Sequence, residues 1–263
     1  MKKQFFGILL SVFTLSLFAQ NAPYTIEVGG STSVSPLMEL FAEAYAKEKP
    51  RVKVNINPTG SGDGIKNAGV LYQIGMTSRE LTPAEKGAGL KEQTIAIDGI
   101  AIIVHKNNPV KDLTVEQIRD IFSGAITDWS QVSGGAKRGR IAVVSREAGS
   151  GTRGAFEELV GLKKLVAGAA ESTSTGAIKA GIAQNVDAIG YISLGSLDKT
   201  VKAVSVGGVA ATPANVVKGV YKIARPFIVL YKDNAHAETK AFLAWMLSRQ
   251  GQTIVKSSWI PVK

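Results

Sequence analysis

The alternation of short apolar strands with amphipathic helices limits what this chain can fold into. Residues 25–28 predict a strand, residues 36–49 carry apolar side chains at helical spacing, and Val52, Val54 and Ile56 alternate with polar neighbours. Strands that are separated by helices form mainly parallel sheets with helices on both faces, because parallel pairing needs a crossover connection. The sequence therefore predicts an α/β fold.

The same rhythm continues along the rest of the chain. Further strands are predicted at residues 95–97, 101–104, 141–144, 189–192, 201–206 and 227–231, and further helices at 115–122, 155–160, 177–183, 214–220 and 237–247. Two helix starts match the capping box, in which a hydroxyl and a carboxylate or amide satisfy free backbone amides: Thr82 with Glu85, and Thr114 with Gln117. We expect these two hydroxyls to be structural.

The first residues carry the pattern of a secretory signal peptide. Lys2 and Lys3 precede an apolar run at residues 5–19, which is shorter than the roughly 20 residues of a membrane-spanning helix. We predict a signal peptide at residues 1–22 and an exported protein, periplasmic or extracytoplasmic, that is soluble after cleavage. The chain contains no cysteine, so it has neither disulfides nor a cysteine-linked lipid anchor.

The formal net charge of +10 raises the question of nucleic-acid binding. Lysine and arginine are scattered along the chain, and the densest cluster is Lys137, Arg138 and Arg140. Aromatic residues make up 7% of the chain and do not alternate with basic ones, as they would in a stacking platform for bases. The charge therefore predicts a solvated basic surface and no nucleic-acid partner.

One local sequence motif occurs four times: a loop of glycine, serine and threonine that lies before a helix. The loops cover residues 29–33, 59–64, 149–152 and 172–176. A helix start offers unpaired N–H groups, glycine allows a close approach of the backbone, and hydroxyls add donors, so such loops suit an oxyanion. Arg146, just before the third loop, is the candidate for a charged, bidentate contact. Ser35, directly before Pro36, is better interpreted as a helix cap than as a ligand contact.

Other chemistries have weaker support in the sequence. Residues 149–154 match the dinucleotide pattern G-x-G-x-x-G, with Glu171 about 20 residues further on, but Arg146, Glu147 and Ala148 separate the motif from its strand. The chain has two histidines, no G-x-S-x-G and no H-E-x-x-H. We therefore predict a protein that is not an enzyme, with no catalytic residues, no metal site and no cofactor.

At these loops the chain resembles the phosphate-binding proteins of bacterial phosphate ABC transporters, in the type II periplasmic-binding-protein superfamily. The matching segments run in order along nearly the whole mature chain. They include Gly-Ser-Thr-Ser-Val-Ser-Pro-Leu at 30–37, Gly-Ser-Gly-Asp-Gly-Ile-Lys at 60–66, Ile-Gly-Met-Thr-Ser-Arg-Glu-Leu at 74–81, Asp-Gly-Ile-Ala at 98–101, the segment 118–129, residues 146–152 and Ile-Gly-Tyr at 189–191.

The resemblance implies two α/β lobes, each a mainly parallel sheet flanked by helices, joined by crossover strands and closing over a phosphate ion. It implies lobe 1 at residues 24–102, with residues 228–263 returning to it, and lobe 2 at residues 103–227. The crossings would be residues 101–104 and 225–228. Its partners would be inorganic phosphate and the membrane permease of a phosphate ABC transporter, and we expect a monomer.

The family's phosphate contacts, carried over by the resemblance, fall on Thr32, Ser33, Ser61, Ser78, Arg146, Ser150, Gly151 and Thr152. Ser78 departs from the family, which often has an aspartate there. A carboxylate would accept the proton of hydrogen phosphate and repel sulfate, so serine makes this discrimination less assured. Asp63 and Asp98 are possible substitutes for the aspartate, and Arg79 could add a second positive contact.

Three other functions remain open from the sequence. The ligand could be another tetrahedral oxyanion such as sulfate. The same loops could hold a phosphoryl group in an exported phosphatase, although no base or metal site is evident. The fold could also serve as a surface adhesion or sensory module.

Overall fold

The computed structural model describes residues 23–262, and the predicted signal peptide at residues 1–22 lies outside them. The strands are β1 Tyr24–Gly30, β2 Val52–Pro58, β3 Ile74–Thr77, β4 Lys91–His105, β5 Asp112–Leu113, β6 Ala142–Arg146, β7 Ala170–Ser172, β8 Ala188–Ser193, β9 Val201–Ala203, β10 Ser205–Val206 and β11 Ala224–Tyr231. The helices are α1 Ser35–Glu48, α2 Ser61–Asn67, α3 Pro83–Lys86, α4 Val115–Ser123, α5 Gly151–Val160, α6 Thr175–Gln184, α7 Pro213–Val217, α8 Ala237–Met246 and α9 Arg249–Val255.

Eight strands follow one another in the order β2-β1-β3-β11-β4-β8-β6-β7, and β9 also pairs with β4. Pairing is parallel among β1, β2 and β3 and among β6, β7 and β8, whereas β4 and β11 run antiparallel to their neighbours. We call the part built on β1, β2, β3 and β11 lobe 1, and the part built on β6, β7 and β8 lobe 2. The predicted α/β class and two-lobed arrangement are confirmed.

A single long strand, β4, passes from one lobe to the other. Its first half pairs with β11 as far as Gly99, and its second half pairs with β8 from Ile100 onward. The sequence predicted two separate strands at 95–97 and 101–104. That separation is wrong, because residues 98–100 continue the same strand, and Asp98 is fully buried there with its carboxylate paired to Arg225. The exact lobe boundaries remain a prediction.

Each lobe has its own hydrophobic core. In lobe 1, α1 buries Leu37, Met38 and Phe41 against the sheet, together with Trp245 of α8. In lobe 2, the ring of Phe156 lies parallel to the ring of Tyr191 at 4.1 Å between centroids. The chain returns to lobe 1 at the start of β11, since Ile223 belongs to the core of lobe 2 and Phe227 to that of lobe 1. Separate cores let each lobe keep its shape while the two crossing strands, β4 and β11, connect the lobes.

Most predicted elements lie where the structure has them, and both capping boxes are confirmed. The predicted strand at 201–206 is wrong as a single element. The chain pairs with β4 through Ala203 and then with β5 from Ser205, so it forms two short strands. Strands β3, β5 and β7 and helix α9 were not predicted from the sequence. Within residues 23–262, no helix combines the length and apolar character needed to cross a membrane.

Candidate oxyanion-binding site

The four glycine, serine and threonine loops converge where the two lobes face each other. In lobe 1, the loop at residues 29–33 follows β1, and the loop at residues 59–64 begins α2. Ser78 follows β3. In lobe 2, the loop at residues 149–152 lies between β6 and α5, and the loop at residues 172–176 lies between β7 and α6. Because the carboxyl ends of parallel strands lie at the same edge of a sheet, each lobe presents its loops to the other.

Glycines allow the lobe 1 loops to lie close together. A Cβ at Gly64 would lie 2.5 Å from the carbonyl oxygen of Met76 and 2.7 Å from Cα of Gly30. Gly30 itself has φ +130°, which side chains rarely adopt. With no Cβ at either position, α2 packs directly on the ends of β1 and β3. This close approach brings Ser61 next to Ser78.

Three serines of lobe 1 form a buried group that touches lobe 2. Ser31 Oγ donates to Ser78 Oγ over 2.9 Å, and Ser61 Oγ lies 3.3 Å from Ser78 Oγ. The backbone of α5 then closes over them, since a Cβ at Gly151 would lie 2.3 Å from Ser61 Oγ. Gly62 N also donates to the carbonyl oxygen of Gly149 over 3.0 Å. The lobes are therefore in direct contact here.

A second group of hydroxyls crosses between the lobes. Ser33 Oγ lies 2.7 Å from Thr152 Oγ1 and 2.9 Å from Thr175 Oγ1. Thr32 Oγ1 lies 3.4 Å from Thr175 Oγ1 and accepts from Thr175 N over 3.4 Å. Ser33 and Thr152 are almost completely buried. This group joins the first loop of lobe 1 to two helix starts of lobe 2.

Arg146 lies at the end of β6 beside these hydroxyls, and its side chain is 2% exposed. Its Nε and Nη2 donate to the two carboxylate oxygens of Glu147 over 2.9 and 2.8 Å, and to the carbonyl oxygens of Ser172 and Thr173. Its Nη1 donates to Thr175 Oγ1 over 3.4 Å. Contacts within lobe 2 thus hold Nε and Nη2 of the guanidinium, and Nη1 is directed to the hydroxyls that lie between the lobes.

Tyr191 on β8 supports the backbone at Arg146. Its hydroxyl lies 2.8 Å from Ser145 Oγ and accepts from Arg146 N over 3.3 Å. Burial is the main cause that raises the pKa of Tyr191 to about 12. The phenol therefore stays neutral and anchors β6 to β8 in the physiological pH range.

Each acidic substitute considered from the sequence is engaged elsewhere. Asp63 accepts from Thr59, Asn67 and Tyr72, and these hydrogen bonds lower its pKa, the bond from Thr59 most of all. Asp98 pairs with Arg225 inside the crossing strands. Within the part of the chain that the structure describes, the one carboxylate bonded directly to a member of the site is that of Glu147, through Arg146.

Arg79 does not serve as the second positive contact. Its two terminal nitrogens donate to both carboxylate oxygens of Glu85 over 2.8 Å, and that ion pair joins the loop before α3 to α3 itself. Ser35 is not the cap of α1, because the helix already begins at Ser35 and Ser35 Oγ donates to the carbonyl oxygen of Ser31 instead. Glu171 of the dinucleotide-like motif pairs with Arg153.

The predicted site residues fall into two sets. The structure brings Thr32, Ser33, Ser61, Ser78, Arg146, Gly151 and Thr152 together in one continuous group. Ser150 lies beside them but acts as the cap of α5, since its Oγ accepts from Arg153 N over 3.2 Å. Sequence reasoning missed Ser31 and Thr175. Both lie in loops that it had singled out, but the sequence holds no signal for which hydroxyl of a loop turns inward.

Such a site can surround a small anion with neutral donors. Serine and threonine hydroxyls donate one hydrogen and accept two, and the starts of α5 and α6 add backbone N–H groups and a positive dipole end. The positive charge of Arg146 is balanced by Glu147, so an anion would be held mainly by hydrogen bonds. Hydroxyls can also accept the proton of a protonated oxyanion.

Comparisons with known proteins show the family of the chain. A family model for the PBP superfamily domain matches residues 19–250. A protein from Clostridium perfringens, solved with bound phosphate and assigned to a phosphate ABC transporter, is 51% identical, with a TM-score of 0.88 and coverage of 91% of this chain and 100% of that one. An ABC-type phosphate transport receptor from Vibrio cholerae is 40% identical, with a TM-score of 0.74 over 89% and 99% of the two chains.

Curated relatives show the same likeness. The phosphate-binding protein PstS of Bacillus subtilis is 29% identical over 92% of this chain and 82% of its own length. PstS 2 of Streptococcus pneumoniae is 43% identical over 120 residues, which is 45% of this chain and 41% of that protein. These relatives are named as binding proteins. The chain belongs to the PBP superfamily, in its group of PstS-like phosphate-binding proteins.

Proposed function

We propose that this protein captures inorganic phosphate between its lobes and delivers it to the membrane permease of a phosphate ABC transporter. The observation that carries the proposal is the buried group of hydroxyls around Arg146, drawn from loops of both lobes. Relatives with this fold are named for phosphate, and the one from Clostridium perfringens was solved with phosphate bound.

The chemistry of the group fits a tetrahedral anion. The hydroxyls of Ser33 and Thr152 face each other from the two lobes at 2.7 Å, so a phosphate ion that enters the cleft would replace this direct hydrogen bond with bonds from both hydroxyls to itself. A buried anion loses its water shell, and only a nearly complete set of hydrogen bonds compensates for that loss. Donors contributed by both lobes make binding and closure one event.

Calorimetry on phosphate-stripped protein tests the proposal, and we expect submillimolar affinity for phosphate. Arg146→Ala should weaken binding by at least about 1.5 to 3 kcal/mol, the scale of a hydrogen bond to a charged group. Arg138→Ala is the matched control, because it removes an equal charge from an exposed position and leaves the site intact. Failure of the unaltered protein to bind either phosphate or arsenate would refute the function.

Sulfate is the alternative ligand, and the observation that favours it is the serine at position 78, where the family often has an aspartate. Hydrogen phosphate carries a proton at neutral pH and sulfate does not, and the site has a hydroxyl where a carboxylate would discriminate. Competition between the two anions at pH 5 and pH 8 separates them. We expect phosphate to bind more tightly at both pH values, and preferential binding of sulfate would replace phosphate as the ligand.

We further infer that the protein binds without turning over its ligand. His105 and His236 accept from backbone amides in their own turns, and His236 caps α8. Across residues 23–262, no cluster of three or more His, Cys, Asp or Glu side chains could hold a metal. Turnover of p-nitrophenyl phosphate that disappears in Arg146→Ala would establish a phosphatase instead.

We infer that residues 1–22 direct secretion and that the mature chain acts outside the cytoplasm as a monomer. Cell fractionation of the full-length chain, with mass spectrometry of its N-terminus, tests export and locates the cleavage site. Light scattering during size-exclusion chromatography tests the monomer.

A further inference from the structure

Thr175 occupies an unusual position among the hydroxyls of the cleft, because it touches both lobes and the arginine. It is the first residue of α6 in lobe 2 and is buried. Its Oγ1 lies 2.9 Å from Ser33 Oγ and 3.4 Å from Thr32 Oγ1, both on lobe 1, and accepts from Arg146 Nη1 over 3.4 Å. These three contacts use the one donor and two acceptor positions of a hydroxyl.

The start of α6 does not need this hydroxyl for its own stability. Ser174 is the cap, and its Oγ accepts from Ala177 N over 3.1 Å. The neighbouring threonine therefore has its side chain available for the cleft. Two adjacent hydroxyl residues thus have separate tasks, one in the helix and one between the lobes.

The contacts of Arg146 explain what Thr175 adds. Glu147 and the carbonyl oxygens of Ser172 and Thr173 hold Nε and Nη2. Among residues 23–262, Thr175 is the one hydrogen-bond partner of Nη1. The nitrogen directed to the cleft is therefore positioned by Thr175, and its second hydrogen remains for a ligand.

We propose that Thr175 is a positioning residue of the anion site, which holds Nη1 of Arg146 toward the ligand and links it to Ser33 when the lobes close. The inference rests on the proposed function, and it gives a role to a residue of the fourth loop, on which none of the predicted phosphate contacts falls. Because the link exists only while the lobes are together, Thr175 should slow ligand release more than it speeds capture.

Thr175→Val tests the proposal, since valine keeps the shape of threonine and removes the hydroxyl. We expect phosphate affinity to fall about 10-fold, mostly through faster dissociation in stopped-flow measurements. Thr175→Ser should restore affinity to within about threefold of the unaltered protein, because it returns the hydroxyl. Thr175→Ala provides a second hydroxyl-free variant should valine disturb folding.

Ser174→Ala is the matched control. It should lower the thermal midpoint by removing the helix cap, while phosphate affinity stays within about twofold. A merely structural Thr175 would give the same result as this control, with lost stability and unchanged dissociation. Such a result would overturn the proposal.

A double-mutant cycle with Ser33→Ala tests the link across the cleft. If the hydroxyls of Thr175 and Ser33 act together, the fold-loss of phosphate affinity in the Thr175→Val, Ser33→Ala double variant should be smaller than the product of the two single fold-losses by at least about threefold. Losses that multiply would overturn the link. If the unaltered protein fails to bind phosphate, the proposed function fails, whereas normal binding by Thr175→Val with an unchanged release rate refutes this inference alone.

Discussion

Arg225 and Asp98 lie opposite each other on β11 and β4, and Nη2 of Arg225 donates to Oδ2 of Asp98 over 3.1 Å. Both side chains are buried in the crossing between the lobes, at 2% and 0% exposure. Nη1 of Arg225 donates to the carbonyl oxygen of Ser78, and Oδ1 of Asp98 accepts from Ser193 at the end of β8. The ion pair therefore connects the crossing strands to the site in lobe 1 and to the sheet of lobe 2.

Breaking this pair should destabilise the whole protein. Asp98→Asn keeps the shape of the side chain but leaves the charge of Arg225 buried without its counter-ion, so we expect a loss of about 3 to 5 kcal/mol in the free energy of unfolding. Burial raises the pKa of Asp98, and the charge of Arg225 opposes that rise. Urea unfolding at pH 7 measures the loss.

The control for this variant is Glu43→Gln. It breaks the pair between Lys47 and Glu43, whose side chains are 73% and 70% exposed. An exposed pair contributes about 0.5 kcal/mol or less, so this variant should unfold almost like the unaltered protein. Equal free energies of unfolding of the two variants would mean that the buried pair contributes no more to stability than the exposed pair.

Gly151→Ala should prevent closure without unfolding either lobe. The new Cβ would lie 2.3 Å from Ser61 Oγ and 2.9 Å from Ser78 Oγ, both on the opposite lobe. Overpacking typically costs about 1 to 3 kcal/mol, and because it affects only the closed form, phosphate affinity should fall about 5- to 150-fold. Calorimetry measures the affinity, and X-ray scattering should show no compaction when phosphate is added.

Gly149→Ala in the same loop is the matched control, because its Cβ would have no neighbour within 4 Å. This variant should bind and compact normally. If Gly151→Ala also does so, the contact between α5 and the lobe 1 serines does not form part of the bound state.

The ion pair between Arg79 and Glu85 should make stability depend on pH in the acidic range. Hydrogen bonds from Arg79 are the main cause that lowers the pKa of Glu85 from 4.5 to about 2. The folded value lies below the unfolded one, so the stabilisation is complete above about pH 4.5 and is lost as the pH falls toward about 2.

Glu85→Gln keeps the capping box and removes the charge. It should cost about 0.5 to 1 kcal/mol at pH 7, and the difference from the unaltered protein should shrink between pH 5 and about pH 2 in urea titrations. Glu80→Gln, at an exposed neighbour, should show no such difference. A pH-independent cost of Glu85→Gln would contradict the role of the ion pair.

Ser78→Asp should increase discrimination between phosphate and sulfate. A carboxylate at this position would accept the proton of hydrogen phosphate, and it would face an unprotonated oxygen of sulfate at a repulsive distance. We expect the ratio of phosphate to sulfate affinity at pH 8 to rise at least about 10-fold over the unaltered protein.

Ser78→Ala separates the charge from the hydroxyl. It removes an acceptor of the hydrogen bond from Ser31 without adding a negative charge, so the ratio of affinities should change little while both affinities fall. An unchanged ratio in Ser78→Asp would show that residue 78 does not contact the proton-bearing oxygen of the ligand.

Local patterns predicted the elements well where the decisive forces were local. The capping boxes at Thr82 and Thr114 form as expected, because each depends on residues three positions apart. The break expected between residues 97 and 101 did not occur, since Arg225, far away in the sequence, pairs with Asp98 within the sheet. Turn propensity was overridden by tertiary pairing.

For the site, too, local features were predictable from the sequence and long-range contacts were not. The sequence by itself determined the α/β class, the four donor loops and Arg146 as the charged group beside them, because these follow from periodicity and residue chemistry. Only the tertiary structure decided that Thr175 meets Ser33 and that Asp98 pairs with Arg225. Those outcomes depend on how distant parts of the chain come together, and contacts between residues more than 100 positions apart have no local signature in the chain.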